Sequence, residues 1–417
     1  MEHGLSKNTL PGLREKRAQQ KKEILTFFYR RGKLSKPEIC RMTNLTAPTI
    51  NRIIGELIDT RWVIDCGEGS SAGGKRPHLF ALNPDAAYVL GIDIGRVHLK
   101  IAIFNLHREV VGKIQIFPSL LETATRDENF SYLSTKVKEV IKALEVPADK
   151  IKVAGVALPG LIDKEGNSYS YLVHERTNLK SELEQLLGMP VFVDNDSNVM
   201  AIAEHTFGVA RGADNALCIS VNECIGLGMI LNGKPYSGAQ GMAGEFGHIR
   251  LLGVDLPCYC GKIGCLESVA SGRAIVTAAR DAIAKGRTTA IASCAGTNEI
   301  TLGNVITAAL QDDLFAIELL QRAGEKIGEG IATLIHLFNP RLLVIGGEIA
   351  DAGDHITAPI LQTVNKYTLS RLRIPCEVRL SNLNTRAAIM GTLMLVMQDL
   401  YYDDNSDFFH LTMKFKE

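Results

Sequence analysis

Gly244-Glu-Phe-Gly-His248, followed by Cys258-Tyr-Cys260-Gly-Lys-Ile-Gly-Cys265-Leu-Glu267, is the stretch on which the reading of this chain turns. Three cysteines fall within eight residues, and the glycines between them let the backbone wrap one small ion. His248, ten residues upstream of the first cysteine, offers a fourth ligand. A Cys3His set closes a tetrahedron with no open position, the arrangement of a structural zinc rather than a catalytic one. One Zn2+ per chain is therefore expected, held by His248, Cys258, Cys260 and Cys265. Three unligated thiols are the alternative, but they would leave the crowding and the interleaved glycines unexplained. Nine cysteines in all, an odd number, suit a reducing compartment better than a disulfide framework. Cys40, Cys66, Cys218, Cys224, Cys294 and Cys376 read as small buried hydrophobes.

Outward from that stretch, 417 residues are too many for one ordinary core, so two or three folding units are expected. A composition 46% hydrophobic and 22% charged is that of a globular protein and excludes fibrous and disordered classes. No apolar run is long enough to span a membrane, and the polar opening MEHGLSKNTLPGLREKRAQQKK has no signal core. A cytoplasmic protein with no membrane partner is the expectation. The net charge of zero hides an asymmetry. Residues 1–78 hold 15 Lys and Arg against 8 Asp and Glu, leaving 31 against 38 for the rest. A basic head on an acidic body points to a polyanion partner for the head alone, although a solvated basic helix would also account for the charge.

The head has the pattern of a DNA reader. Ile24, Leu25 and Phe28 share one face of a helix over 21–31. Ser35-Lys-Pro-Glu38 is a capping box for a second helix, and Pro37 is tolerated in its first turn. Thr46 is expected to cap a third, with Ile50, Ile53, Ile54 and Leu57 buried and Thr49, Asn51 and Arg52 off that stripe. Two short helices joined by a tight turn, the second polar at its N-terminal end, is how a helix-turn-helix meets a major groove. Trp62-Val-Ile64 and Leu79-Phe-Ala-Leu82 then read as strands around a Gly/Ser tip, forming a wing. Gly73-Gly-Lys75-Arg76-Pro77 suits a narrow minor groove, where bulk is penalised and arginine attracted, though such a stretch also serves as a plain linker. Residues 1–82 are expected to be a winged helix-turn-helix that binds double-stranded operator DNA, with wing and linker at 67–78. The DNA contacts fall to Thr46, Thr49, Asn51, Arg52, Lys75 and Arg76.

From Tyr88 strands alternate with helices. Val89-Leu-Gly-Ile-Asp93-Ile-Gly95, Leu99-Lys-Ile-Ala-Ile-Phe104 and a third strand over 110–116 precede a helix near 129–144. Strands at Val153-Ala-Gly-Val-Ala-Leu158 and Val191-Phe-Val193 follow, the latter leading into Asp194-Asn-Asp-Ser-Asn198 and a helix. The layout then recurs with Ala216-Leu-Cys-Ile-Ser-Val221, Gly226-Leu-Gly-Met-Ile-Leu231, a run of helices and Leu342-Leu-Val-Ile345. An α/β unit laid out twice, with ligands between the lobes, is the duplicated actin-like ATPase (RNase H-like) plan of sugar kinases. Lobe boundaries of 83–205 and 206–400 are expected, followed by a tail over 401–417 to which the sequence assigns no role.

With these motifs assembled, the chain resembles the ROK family (repressors, open reading frames, kinases). The resemblance is carried by Gly-Glu-Phe-Gly-His248, the Cys-x-Cys-Gly-x-x-Gly-Cys-x-Glu267 run, Asn195-Asp196 and Asn339-Pro340…Gly346-Gly347. With the head and Gly-Lys-Arg-Pro77 it is nearest the branch of xylose, glucose and N-acetylglucosamine repressors. The resemblance implies a sugar site made by Asn195, Asp196, Glu245, His248 and Glu267, with Gly160 as backbone wall; Asp196 would be the base if the chain were a kinase. Carboxylates on rigid turns are what sugar hydroxyls require. His248 can serve metal through one ring nitrogen and sugar through the other.

Phosphoryl transfer needs glycine-lined loops against the ATP phosphates. The family's kinases carry Asp-x-Gly-Gly-Thr in the first loop, and here it reads Asp93-Ile-Gly95-Arg96-Val97. Their second loop, Gly-Thr-Gly, reads Asn222-Glu223-Cys224, placing a carboxylate where a triphosphate would lie. The leading expectation is a non-enzymatic repressor released from its operator by a monosaccharide or derivative, acting as a homodimer or dimer of dimers. A sugar kinase with a DNA-binding head, and a regulator controlled by a protein partner, remain the alternatives.

Overall fold

The computed structural model describes residues 10–69, 76–169, 178–402 and 408–412. It opens with α1 (Leu10–Arg31), β1 (Leu34–Ser35), α2 (Lys36–Thr43), α3 (Ala47–Asp59), β2 (Val63–Glu68) and β3 (His78–Leu82). At the start of α2 the Glu38 carboxylate accepts from both the amide and the hydroxyl of Ser35, at 2.8 and 2.6 Å. Asn44 ends that helix at φ 55, a left-handed turn that asparagine tolerates. Thr46 precedes α3 but does not cap it: its hydroxyl meets that of Thr49 at 2.9 Å. Ile50, Ile53, Ile54 and Leu57 are fully buried, while Thr46, Asn51 and Arg52 are exposed and Thr49 half-buried. α1 begins well before the expected Lys21, because its polar first half finds charge partners: Arg17 and Lys21 both pair with Glu56 of α3.

Strands β1, β3 and β2 form a small antiparallel sheet in that order. Because β2 pairs with β3 through Glu68 and His78, the chain is still in the head beyond residue 78, and the connection to the body lies at 83–87 rather than at 67–78. Of the expected tip, Gly73, Gly74 and Lys75 lie outside the described residues, and Arg76 is exposed.

The first lobe contains β4 (Tyr88–Ile94), β5 (His98–Asn105), β6 (Gln115–Pro118), α4 (Arg126–Ala143) and β7 (Ile151–Leu158). It continues through the short β8 (Leu161–Ile162) and β9 (Ser168–Tyr169), then α5 (Leu179–Leu187), β10 (Val191–Asn195) and α6 (Asp196–Thr206). The second holds β11 (Ala216–Val221), β12 (Ile225–Leu231), β13 (Lys234–Pro235), α7 (Glu267–Ala270), α8 (Gly272–Ala284), α9 (Ala290–Ala295) and α10 (Leu302–Leu310). It closes with α11 (Leu314–Phe338), β14 (Leu342–Gly346), α12 (Asp354–Tyr367), α13 (Ser370–Arg373), β15 (Glu377–Leu380), α14 (Ala387–Tyr402) and α15 (Phe408–Thr412). The two five-stranded sheets have one plan: β10-β7-β4-β5-β6 and β15-β14-β11-β12-β13. In each, an antiparallel hairpin comes first in sequence and two later strands join in parallel. The duplication therefore lies in strand order. The strand expected over 110–116 is broken: Val110 only bridges Phe104, Gly112 turns at φ 74, and β6 starts at Gln115.

The last helix of each half crosses over. α6 follows β10 yet packs on β11 and β12, and α14 follows β15 yet packs on β4 and β7. A cut at 205/206 therefore divides the chain but not its two cores. The helices themselves meet closely at Gly391, where a Cβ would stand 2.1 Å from the Val199 carbonyl oxygen, so a side chain there would force them apart.

Head and first lobe share one hydrophobic core. Ile24, Leu25 and Phe28 of α1 join Trp62 and Phe80, and the same cluster runs on into Phe104, Leu393, Met394 and Met397. The tail completes it: Phe408 and Phe409 are 2% and 1% exposed, and the Phe409 ring stands edge-on to Trp62 at 5.9 Å. The Arg30 Nε donates to the Leu400 carbonyl at 2.6 Å, and the Arg108 guanidinium lies 4.6 Å over the Tyr29 ring. Among the described residues no helix is long and apolar enough to cross a membrane.

Candidate functional site

A cleft of about 560 Å3 lies between the two sheets, at the ends of β4, β10 and β11. Asn195 shapes one wall. Its Oδ1 accepts from the Ser197 amide at 2.9 Å, capping α6, while its Nδ2 donates to the Gly160 carbonyl at 2.9 Å. Asp196 is thereby fixed as the first residue of α6, lining the cleft. The helix start can approach β12 this closely only because of Gly228, whose Cβ would fall 2.2 Å from the Ser197 carbonyl oxygen.

Glu245 and His248 reach the cleft from the second lobe. The His248 Nε2 is 3.9 Å from the Glu245 carboxylate, and Nδ1 is 3.7 Å from the Cys258 sulfur. One ring nitrogen thus turns to the cleft and the other to the cysteines. Asn195, Asp196, Gly160, Glu245 and His248 all line the cavity, as expected. Glu267 does not. It is 4% exposed, and its carboxylate accepts from the Ile225 amide at 2.7 Å. Gly247 packs directly over it, so Glu267 braces the start of β12 from beneath the wall.

Burial pushes Asp196 up to about 6, helped by the neighbouring charge of Asp93. Burial, with Asp196 and Glu267 nearby, likewise raises Glu245 to about 7. The Glu245 side chain is 43% exposed, so water tempers its shift, and Asp196 carries the clearer consequence. An acid whose folded pKa exceeds its unfolded value favours folding below the unfolded value and loses that contribution as pH rises through the folded one. Asp196→Asn is therefore expected to raise the melting temperature of the ligand-free protein at pH 8, above its folded pKa of about 6, and to leave it unchanged near pH 4. Thermal unfolding at the two pH values checks this; an equal effect at both would mean the carboxyl is not held neutral in the cleft.

Beside the cleft, the Cys260 and Cys265 sulfurs are 3.8 Å apart, and all four ligand atoms of His248, Cys258, Cys260 and Cys265 lie within 4.8 Å of one another. A tetrahedral ion with bonds of ~2.3 Å to sulfur and ~2.0 Å to nitrogen places S–S pairs ~3.8 Å and S–N pairs ~3.6 Å apart. The residues fit such a cation. Cys258 and Cys265 are buried, and burial pushes both thiols up; a divalent charge at the centre is what would let them bind as thiolates.

In the sequence pattern Arg96 shows only as a missing glycine. It lines the cleft, donates from Nη1 to the Glu122 carboxylate at 2.6 Å, and lies 5.6 Å over the Tyr259 ring. A residue that breaks a phosphate-loop pattern was the signal, and what it does there could not be read without its neighbours. Glu223 also lines the cleft.

The family model described as the ROK family matches residues 89–399. The xylose repressor of Caldicellulosiruptor bescii is 28% identical over 370 residues, 88% of this chain and 92% of that protein. A glucokinase from Halalkalibacterium halodurans is 31% identical over 321 residues, 75% of this chain and 95% of its own length. Among solved structures, a ROK family transcriptional regulator homologous to the Escherichia coli MLC protein superimposes with a TM-score of 0.75 at 27% identity, covering 95% of this chain and 99% of that one. With two lobes of one strand order, a carboxylate-lined cleft and a Cys3His cluster beside it, and a family match spanning both lobes, this chain belongs to the ROK family.

Proposed function

We propose that this protein is a sugar-responsive transcriptional repressor. The observation that carries the reading is coverage. The xylose repressor aligns over 88% of the chain, whereas the glucokinase, matched almost end to end, accounts for 75% of it. What the kinase lacks is of the size of the basic head, which precedes the family model's first matched residue, 89.

The head acts as a winged helix-turn-helix over 1–82. α3 enters a major groove with Thr46, Thr49, Asn51 and Arg52, and the β2–β3 hairpin brings Lys75 and Arg76 to the minor groove. Exposure of Asn51, Arg52 and Arg76 supports this. A single winged helix reads few bases, so two copies bind a two-fold site. In the body, a monosaccharide or derivative lies against Asn195, Asp196, Glu245, His248 and the Gly160 carbonyl. The cluster takes one structural Zn2+. No phosphoryl transfer follows, because Arg96 fills the turn where backbone amides would meet a phosphate and Glu223 repels the nucleotide. The ligand shifts the lobes, and with them the spacing of the paired α3 helices, which must stay near ~34–36 Å on one DNA face.

The test is selection of DNA by the full chain from a random library, followed by titration with a panel of monosaccharides and their phosphates. One ligand should weaken operator binding about 5–150-fold, and Asp196→Ala should abolish that response while leaving DNA binding intact. Arg76→Ala should weaken all sequences alike, whereas Arg52→Ala should change which sequence is preferred. The reading is lost if no sequence is enriched. Measurable ATP consumption on any of the sugars would favour the kinase alternative.

A further inference from the structure

We infer that Arg96, Glu122, Arg273 and Tyr259 form a clasp that ties the two lobes together across the cleft, doing with side chains what a bridging nucleotide would otherwise do. Arg96 belongs to the first lobe, in the β4–β5 turn closed by the Gly95 amide and the His98 carbonyl at 2.9 Å. Its guanidinium lies 5.6 Å over the ring of Tyr259, which belongs to the second. On its other side Nη1 donates to Glu122 Oε1 at 2.6 Å, and the same oxygen accepts from Arg273 Nη2 at 2.6 Å. Glu122 lies in the first lobe between β6 and α4, and Arg273 lies in the first turn of α8 in the second. One carboxylate oxygen is therefore gripped by a cation from each lobe.

Both ends of this chain are anchored. Tyr259 stands between two residues of the cysteine cluster, its ring edge-on to His248 at 5.5 Å and its hydroxyl turned to the Cys224 sulfur. Arg273 follows Gly272, whose amide donates to the Asn222 carbonyl at 2.8 Å. The Arg96 side chain is only 10% exposed, and its Nε is buried with no acceptor in reach. Arg96 lines the same cavity as Asp196, so a cleft occupant comes up against the clasp. The Glu122–Arg273 half, with side chains 36% and 44% exposed, is open to salt; Tyr259 is also 43% exposed, but the Arg96 side chain on it is only 10% exposed, so its charge is screened less. A cation over an aromatic ring and two charge pairs together shift an open–closed equilibrium by about tenfold.

The test uses the full chain, free of ligand, and hydrogen exchange. Arg96→Met keeps the bulk and loses the charge; Glu122→Gln cuts the charge pairs alone. Both should speed exchange about tenfold on each side of the cleft, in residues 95–98 and 119–125 and in 258–263. Salt at 1 M should reproduce part of the Glu122→Gln effect and little of that of Arg96→Met. Tyr259→Phe, which keeps the ring under the Arg96 cation and loses only the hydroxyl's contact with Cys224, should lose less protection than Arg96→Met. Metal content is measured alongside, so that a variant that has lost its cluster is recognised and replaced by Arg273→Met. Unchanged exchange over 258–263 in Arg96→Met, with metal retained, overturns the clasp. A second arm rests on the sugar reading above: the monosaccharide that binds best should bind Arg96→Met about tenfold more weakly, since only the closed fraction is competent. If no monosaccharide binds even the parent chain, the sugar reading fails while the exchange result still decides the clasp.

Discussion

Cys260→Ser is expected to leave the protein without the metal proposed for its Cys3His cluster and with a second lobe that no longer holds together. The four ligand atoms gather segments otherwise joined by turns: the 3-10 turn Phe246–His248 and the loop from Cys258 to Cys265. Leu252 and Leu256 between them, and Ile263 within the loop, stand 93%, 53% and 60% exposed, so apart from Leu251 and Val254, which enter the lobe's core, and two isolated backbone bridges, this region has little of its own to keep it folded. Structural zinc in small peptides contributes about 10–16 kcal/mol of apparent binding free energy; a loop moored at both ends to a larger body draws on part of that, giving a loss of roughly 4 kcal/mol or more. Phe246, 2% exposed and packed against Gly330 of α11, would carry the disturbance into the lobe's main core. Elemental analysis should find one ion per chain in the parent and none in the variant, and denaturant unfolding should give the stability difference. Full stability in a metal-free parent would remove the structural role.

The second large effect is expected far from the cleft. Phe409→Ala should destabilise the protein by about 3–5 kcal/mol, the cost of emptying an aromatic site in a packed core. The void would open between the head and the first lobe, since the ring touches Trp62 on one side and Phe408, at 5.2 Å, on the other. Trp62 is the only tryptophan of the chain, so tryptophan fluorescence reports the surroundings of this one residue, Phe409 among them. A red-shifted emission in the variant under native conditions, with faster hydrogen exchange in α1 and β3, is the expected result. Emission and midpoint equal to the parent's would show that α15 does not hold the head.

Nothing in the sequence marks the contact between Phe409 and Trp62. The buried stripe of α3 was legible because a 3.6-residue period survives in Ile50, Ile53, Ile54 and Leu57 whatever surrounds it. The cysteine cluster was legible because its ligands are close in sequence and a metal imposes its own geometry. Phe408 and Phe409 offer no period, only two aromatics after an acidic run, and their partner is more than 340 residues away. The exchange of α6 and α14 between lobes was hidden for another reason: a helix carries no mark of which sheet it will lie on, even when that sheet's next strand follows closely, as β11 follows α6. Glu267 shows the opposite limit. A motif position was matched correctly, yet the helix start at Glu267 and the approach of Gly247 turn its carboxylate to the Ile225 amide, behind the wall that the pattern assigned it to. Arg96 was seen as a loss because a motif describes what a site needs, and a replacement has to be judged by what it touches.

The shared core also sets an order of events during synthesis. The Tyr29 hydroxyl and the Met394 sulfur are brought together across 365 positions, and Arg30 and Leu400 across 370. While the ribosome is still making the second lobe, the apolar face of α1 has partners only in the head itself and in the part of the first lobe around Phe104 and Arg108. Burial of that face is completed only when α14 and α15 emerge, so the first segment made is among the last to be finished, a long-range closure that slows folding. For most of its translation the nascent chain therefore presents an incompletely covered head, and a message cut short anywhere before α14 would yield a protein with the exposed residues of α3 in place and no lasting seat for the helix that carries them.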